Sequence, residues 1–145
     1  MSVKHPIIAV TGSSGAGTSS VLQSFKHIFR REKLTAQIIE GDSFHRYDRL
    51  SMRAMMKEQE ALGNRHFSHF GPEANLLEEL QQLFVSYGEK GTGRSRKYLH
   101  DAGEAEPYGQ DPGTFTPWTD LEGDSDMLFY EGLHGAYADD KINVA

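Results

Sequence analysis

The sequence predicts an α/β domain with a mainly parallel sheet flanked by helices, and three observations carry that prediction. The run Ile7-Ile8-Ala9-Val10 is apolar without alternation and stops at Gly12. A strand apolar on both sides suits the interior of a parallel sheet, where both faces are covered. Gly12 to Ser19 is built of small residues and leads into a stretch with apolar residues at helical spacing. A second apolar run, Met127-Leu128-Phe129-Tyr130, ends in Glu131-Gly132. The order strand, helix, strand, helices, strand is that of an α/β domain.

Each element has a local reason. From Thr18 to Arg31, Val21, Leu22, Phe25, Ile28 and Phe29 recur at helical spacing, and Lys26, Arg30 and Arg31 suit the negative end of the helix dipole. Thr35 to Glu40 reads as a second strand, followed by a polar loop from Gly41 to Arg49. A Met-rich helix is expected from Ser51 to Leu62, closed by Gly63-Asn64. Pro72 is expected to open another helix, carrying Leu76, Leu77, Leu80, Leu83, Phe84 and Tyr87 and closed by Gly88. The Met and Leu stripes are read as core packing. Gly88 to Trp118 begins basic and turns rich in Gly, Pro and acids, so a long loop is expected, with a short hairpin around Arg96 to Leu99. Asp126 to Glu131 is the third strand. Three strands make a small sheet for this architecture. Residues 1–145 are therefore expected to be the N-terminal part of a single domain whose later strands and helices lie beyond Ala145.

Composition excludes some functions. The 145 residues hold 15 Lys+Arg against 21 Asp+Glu, a formal net charge of −6. Bulk nucleic-acid binding draws on clustered cations and is not expected here. Cys is absent, which rules out disulfides and Cys-based zinc sites and fits a cytoplasmic location. The N-terminal apolar run is too short for a signal peptide, and no stretch is long enough to span a bilayer, so no membrane partner is expected.

Three segments carry the chemistry. Gly12-Ser13-Ser14-Gly15-Ala16-Gly17-Thr18-Ser19, with Ser20 after it, lies between a strand and a helix. That is the context of a phosphate-binding loop, in which backbone N–H groups and a helix N-terminus converge on phosphate oxygens. Ser19 occupies the position whose hydroxyl reaches Mg²⁺, whereas Thr18 stands where the pattern expects Lys. The second segment, Glu40 to Arg49, sits past a strand's C-terminal end, where α/β sheets bind ligands. Asp42 can take a proton from a substrate hydroxyl, and Arg49 offers a planar fork for a phosphate already on the substrate. His45 lies between them. The third is Glu131, a carboxylate at the end of an apolar strand, placed to hold Mg²⁺ beside the loop. Ser19, Glu131 and Asp42 are thus the candidate metal-side groups. The basic run Lys90, Arg94, Arg96 and Lys97, with Tyr98 and His100 after it, is either a solvated face or part of an anionic-substrate site. His134 can reach the same place. His5, His27, His66 and His69 have no metal-binding spacing.

Together, HPIIAVTGSSGAGTSS, EGDSFHRYDR, FSHFGPEAN, GTGRSRKYLH, PGTFTPW and LFYEGLHGA resemble the proteobacterial type of phosphoribulokinase. The resemblance implies a P-loop kinase fold and ATP-dependent phosphorylation of D-ribulose 5-phosphate at its C1 hydroxyl, a step of the Calvin cycle. It implies Asp42 as the base, His45 and Arg49 in sugar-phosphate binding and Glu131 in metal binding. The family also carries Thr at the position of Thr18, and its catalytic Lys and Arg lie beyond Ala145. Members form large homo-oligomers and respond to NADH. The alternatives are a related kinase such as a uridine kinase and a non-catalytic nucleotide-binding regulator. Residues 1–145 alone are not expected to turn over substrate.

Overall fold

A computed structural model describes residues 3–145. β1 (Ile7–Thr11), α1 (Thr18–Glu32) and β2 (Ala36–Glu40) come first, then α2 (Arg49–Ala61) and α3 (Leu77–Lys90). Short elements follow: β3 (Arg94–Ser95), β4 (Tyr98–Leu99), α4 (Ala102–Ala105), β5 (Thr114–Phe115) and β6 (Thr119–Asp120). β7 (Met127–Gly132) comes last but sits in the middle, giving the strand order β1-β7-β2 with both pairings parallel. This is the parallel α/β arrangement the sequence predicts. Among the described residues no helix is long and apolar enough to cross a membrane.

The central strand explains its own composition. Successive side chains of a strand point to opposite faces, and β7 has a helix on each. Leu128 and Tyr130 pack with Leu80, Leu83, Phe84 and Tyr87 of α3. Phe129 packs on the other side with Leu22 and Phe29 of α1. All three β7 residues are buried, so alternation of polarity has no place there. β1, by contrast, pairs among the described residues with β7 alone and is partly exposed along its length.

Several boundaries differ from expectation for identifiable reasons. α2 starts at Arg49 rather than Ser51, because the Asp48 carboxylate caps it by accepting from the Ser51 N–H at 2.8 Å. Of its methionines Met52 is buried and Met55 half-buried, while Met56 and the neighbouring Leu50 are exposed, so the Met stripe is core only in part. Periodicity identifies a face but not what covers it. Pro72 opens only a single 3₁₀ turn ending at Ala74; Asn75 is extended, and α3 begins at Leu77. α3 runs through Gly88 and ends at Lys90, carried by a buried face that extends to Tyr87. The segment after it is more ordered than a loop. No hairpin forms at 96–99; instead β3 pairs with β6 and β4 with β5, both antiparallel. The chain leaves through β3 and β4 and returns through β5 and β6, leaving Arg96 and Lys97 between the two ladders.

Candidate active site

The loop between β1 and α1 takes the conformation that its glycines allow. Gly15 (φ 82°) and Gly17 (φ 85°) occupy the left-handed region, which side chains disfavour. Gly17 caps α1, and the Ala16 N–H donates to the Ser13 carbonyl at 3.0 Å. The chain thus turns from a parallel strand into a helix N-terminus and does not form a hairpin. The loop is anchored at its start, where the Gly12 N–H donates to the Gly132 carbonyl at 3.1 Å. Ser13, Ser14, Gly15, Ala16, Gly17, Ser19 and Ser20 are all exposed.

Glu131 lies at this end of the sheet, paired in register with Val10 and Glu40. Its carboxylate accepts a hydrogen bond from the Thr18 hydroxyl. Glu131 thus meets Thr18, whereas the sequence reading pairs it with Ser19. Among the described residues no three His, Asp or Glu side chains converge as a metal cage. Mg²⁺ keeps several waters and takes one or two protein carboxylates plus substrate phosphates. A hydroxyl and a carboxylate meeting at a phosphate-type loop form a donor set of that kind.

Asp42 sits in a 3₁₀ turn, Gly41–Phe44, that directly follows β2. The turn is held from inside by buried Ser43, whose hydroxyl donates to the Glu40 carbonyl at 2.7 Å. Two imidazoles flank the carboxylate: His45 Nε2 lies 3.3 Å from Oδ1, and His100 Nε2 lies 3.0 Å from Oδ2. The hydrogen bond from His45, reinforced by His100 and opposed by burial, holds the Asp42 carboxyl well below the usual carboxylate range. Asp42 is thus ionised at neutral pH, as an acceptor of a hydroxyl proton must be. The His100 imidazole also contacts Glu104 Oε2 through Nδ1 at 3.1 Å. Burial works against its charge, but the bonds to Asp42 and Glu104 outweigh that and raise its pKa.

The remaining predicted residues divide into two groups. Arg49 and Tyr98 stay with the cluster. The Arg49 guanidinium donates to the His100 carbonyl at 2.7 Å, and the Tyr98 ring meets His100 edge-on at 4.8 Å between centroids. His134 faces the same cleft; its Nε2 meets the Phe70 carbonyl at 2.9 Å, and burial lowers its pKa. Arg96 stands apart from them: its guanidinium donates to the Ser43 and His45 carbonyls, behind the turn that carries Asp42.

Sequence reading misses Asn75, His69 and Glu104. Asn75 is buried; its amide donates to the His69 and Gly71 carbonyls at 3.1 and 2.7 Å, which turns Oδ1 to His45 Nδ1 at 2.9 Å. That bond makes Nδ1 the donor, so a hydrogen bond from Nε2 to Asp42 uses the second N–H of an imidazolium ring. The His69 ring lies 4.1 Å from the His45 ring, and burial lowers its pKa. The one available signal was Asn75 standing after Pro-Glu-Ala where a helix would have continued.

A cleft of about 130 Å³ joins these parts, lined by Gly12 to Ser14, by Gly41, Asp42 and His45, and by Gly132 to His134. A larger apolar hollow of about 690 Å³ between β1 and α3 contains none of these residues. The cleft depends on close backbone approach, because a Cβ on Gly132 would come within 2.8 Å of Gly41 Cα and 2.5 Å of the Tyr130 hydroxyl. Neither neighbour is a flexible tip. Gly132→Ala is expected to cost about 1–3 kcal/mol of stability, as overpacking does. Urea unfolding would check it, and an unchanged midpoint would mean that the β2 and β7 ends are loosely apposed.

Comparison with known proteins places this geometry. Residues 7–145 match the model of the Phosphoribulokinase / Uridine kinase family. The chain is 60% identical over 145 residues to a chromosomal phosphoribulokinase of Cupriavidus necator and 61% identical over 145 residues to a phosphoribulokinase of Xanthobacter flavus. Both alignments cover 100% of this chain and 50% of the relative, so the chain spans about half the length of the curated relatives it matches. The solved phosphoribulokinase from Rhodobacter spheroides superposes with a TM-score of 0.87 at 50% identity, covering 99% of this chain and 48% of that one. With that family match over residues 7–145 and identities of 60% and 61% to curated phosphoribulokinases, this chain belongs to the phosphoribulokinase/uridine kinase family.

Proposed function

We propose that the protein phosphorylates D-ribulose 5-phosphate at its C1 hydroxyl, using ATP, to give ribulose 1,5-bisphosphate. The observation that carries this reading is the shared cleft, in which Gly12 to Ser14 at the start of the phosphate-type loop face the Asp42 turn, with imidazoles on both sides of the carboxylate. ATP would lie on the loop. Mg²⁺, when bound, supplies positive charge that neutralises the transferring phosphoryl group; Ser19, Thr18 and Glu131 are the residues to hold it, with Asp42 nearest the substrate side. Asp42 accepts the proton of the attacking hydroxyl. His45, Arg49, Tyr98, His100 and His134 form the sugar-phosphate side.

Other parts of the proposal rest on the resemblance alone. These are a homo-oligomeric full-length protein, NADH as effector and a cytoplasmic location. The reading of residues 1–145 as the N-terminal part of one kinase domain is supported by relatives twice as long.

A uridine kinase activity is the nearest alternative. Its substrate carries no phosphate and gives no reason for a His and Arg cluster beside Asp42. The test is ADP release by the full-length protein with Mg²⁺-ATP. Ribulose 5-phosphate should support turnover at about 1–100 s⁻¹, the usual kinase range, and uridine should not. Turnover with uridine but not with the sugar phosphate overturns the assignment, and ATP binding without either overturns catalysis.

A further inference from the structure

We propose that Arg96 is a positioning residue that holds the Asp42 turn in register with the phosphate loop. This rests on the reading of Asp42 as the proton acceptor. Arg96 lies between β3 and β4, far from the turn in sequence, yet Nε donates to the Ser43 carbonyl at 2.8 Å and an Nη donates to the His45 carbonyl at 2.6 Å. These two carbonyls bracket Phe44, which is buried and meets Trp118 at 5.7 Å between ring centroids. The guanidinium carbon in turn lies 3.6 Å from the Phe115 ring centroid and 4.7 Å from that of Trp118. One side chain therefore joins the returning strand β5, Trp118 and the turn that carries Asp42 and His45.

The chemistry selects Arg. A planar fork reaches two carbonyls at once and stacks on aromatic faces, whereas the compact ammonium of Lys does neither together. Among the described residues no carboxylate forms an ion pair with Arg96. Burial lowers its pKa, and Glu79 opposes this only through space. A half-buried guanidinium whose recorded bonds go to backbone carbonyls is spent on geometry. Phosphoryl transfer depends on that geometry, since its catalysis is mostly positioning.

The test uses the full-length protein with Arg96→Lys, Arg96→Met and Phe115→Leu. Each is expected to lower kcat by about tenfold to 100-fold, the scale of a 1 Å misplacement, with the KM for ATP nearly unchanged and no rescue by Lys. Hydrogen exchange over residues 41–46 should speed up in all three and stay unchanged over residues 12–19. A raised KM for the sugar phosphate with kcat retained would make Arg96 a substrate ligand and overturn the proposal, as would unchanged kcat. Phe115→Leu keeps the arginine and so decides the matter if the Arg96 variants do not fold. If the wild-type protein does not phosphorylate ribulose 5-phosphate, the substrate reading fails; the exchange measurement still decides whether Arg96 holds the turn.

Discussion

Asp42→Asn is expected to lower kcat of the full-length protein by about 10²–10⁴-fold, the contribution of a positioned base, while ATP binding changes little. The amide keeps the shape of the carboxylate and one acceptor oxygen. It cannot take a proton, and it cannot carry the charge to which the His45 and His100 imidazoles lie 3.3 and 3.0 Å away. The nucleotide loop is separately anchored, through Gly12 to the Gly132 carbonyl and through the Thr18–Glu131 contact. The split between kcat and ATP affinity follows from that separation. Steady-state kinetics and nucleotide binding to the same variant measure it. A near-normal kcat would remove Asp42 from the base role, and an equal loss of ATP binding would show that the turn and the loop are not independent.

Phe129→Ala is expected to cost about 3–5 kcal/mol of stability, the range for truncating a buried aromatic residue. Phe129 has no exposed surface and sits in the middle strand, with pairing partners on both sides. Its ring lies 4.8 Å from that of Phe25 and 5.6 Å from that of Phe29, both on α1. Flanking strands limit how far the backbone can move to fill the space. The cavity would open directly under the helix whose N-terminus forms the phosphate loop. Urea unfolding reads the effect, and a loss below about 1 kcal/mol would mean that α1 does not depend on this contact for its position.

What was legible in the sequence is what local chemistry controls. The two apolar runs, the glycine loop between strand and helix, and the α1 stripe were legible because strand and helix periods act over a few residues. Asp42, His45 and Arg49 were legible as a group because one turn carries the first two and the next helix begins at the third. Glu131 was legible because the C-terminal residues of a parallel strand lie at a known end of the sheet.

Which distant segments complete the site depends on long-range packing. His100 reaches Asp42 across 58 residues and Asn75 reaches His45 across 30. Neither contact leaves a period or a spacing in the sequence. Arg96 shows the same limit from the other side: a basic run reads as an open cationic surface until the returning strands place Phe115 and Trp118 against it. The Met face of α2, buried at Met52 and exposed at Met56, does so again. Local periodicity says which residues share a face, but the partner of that face is set by chain segments that meet only when the β3–β6 and β4–β5 ladders close and β7 inserts between β1 and β2.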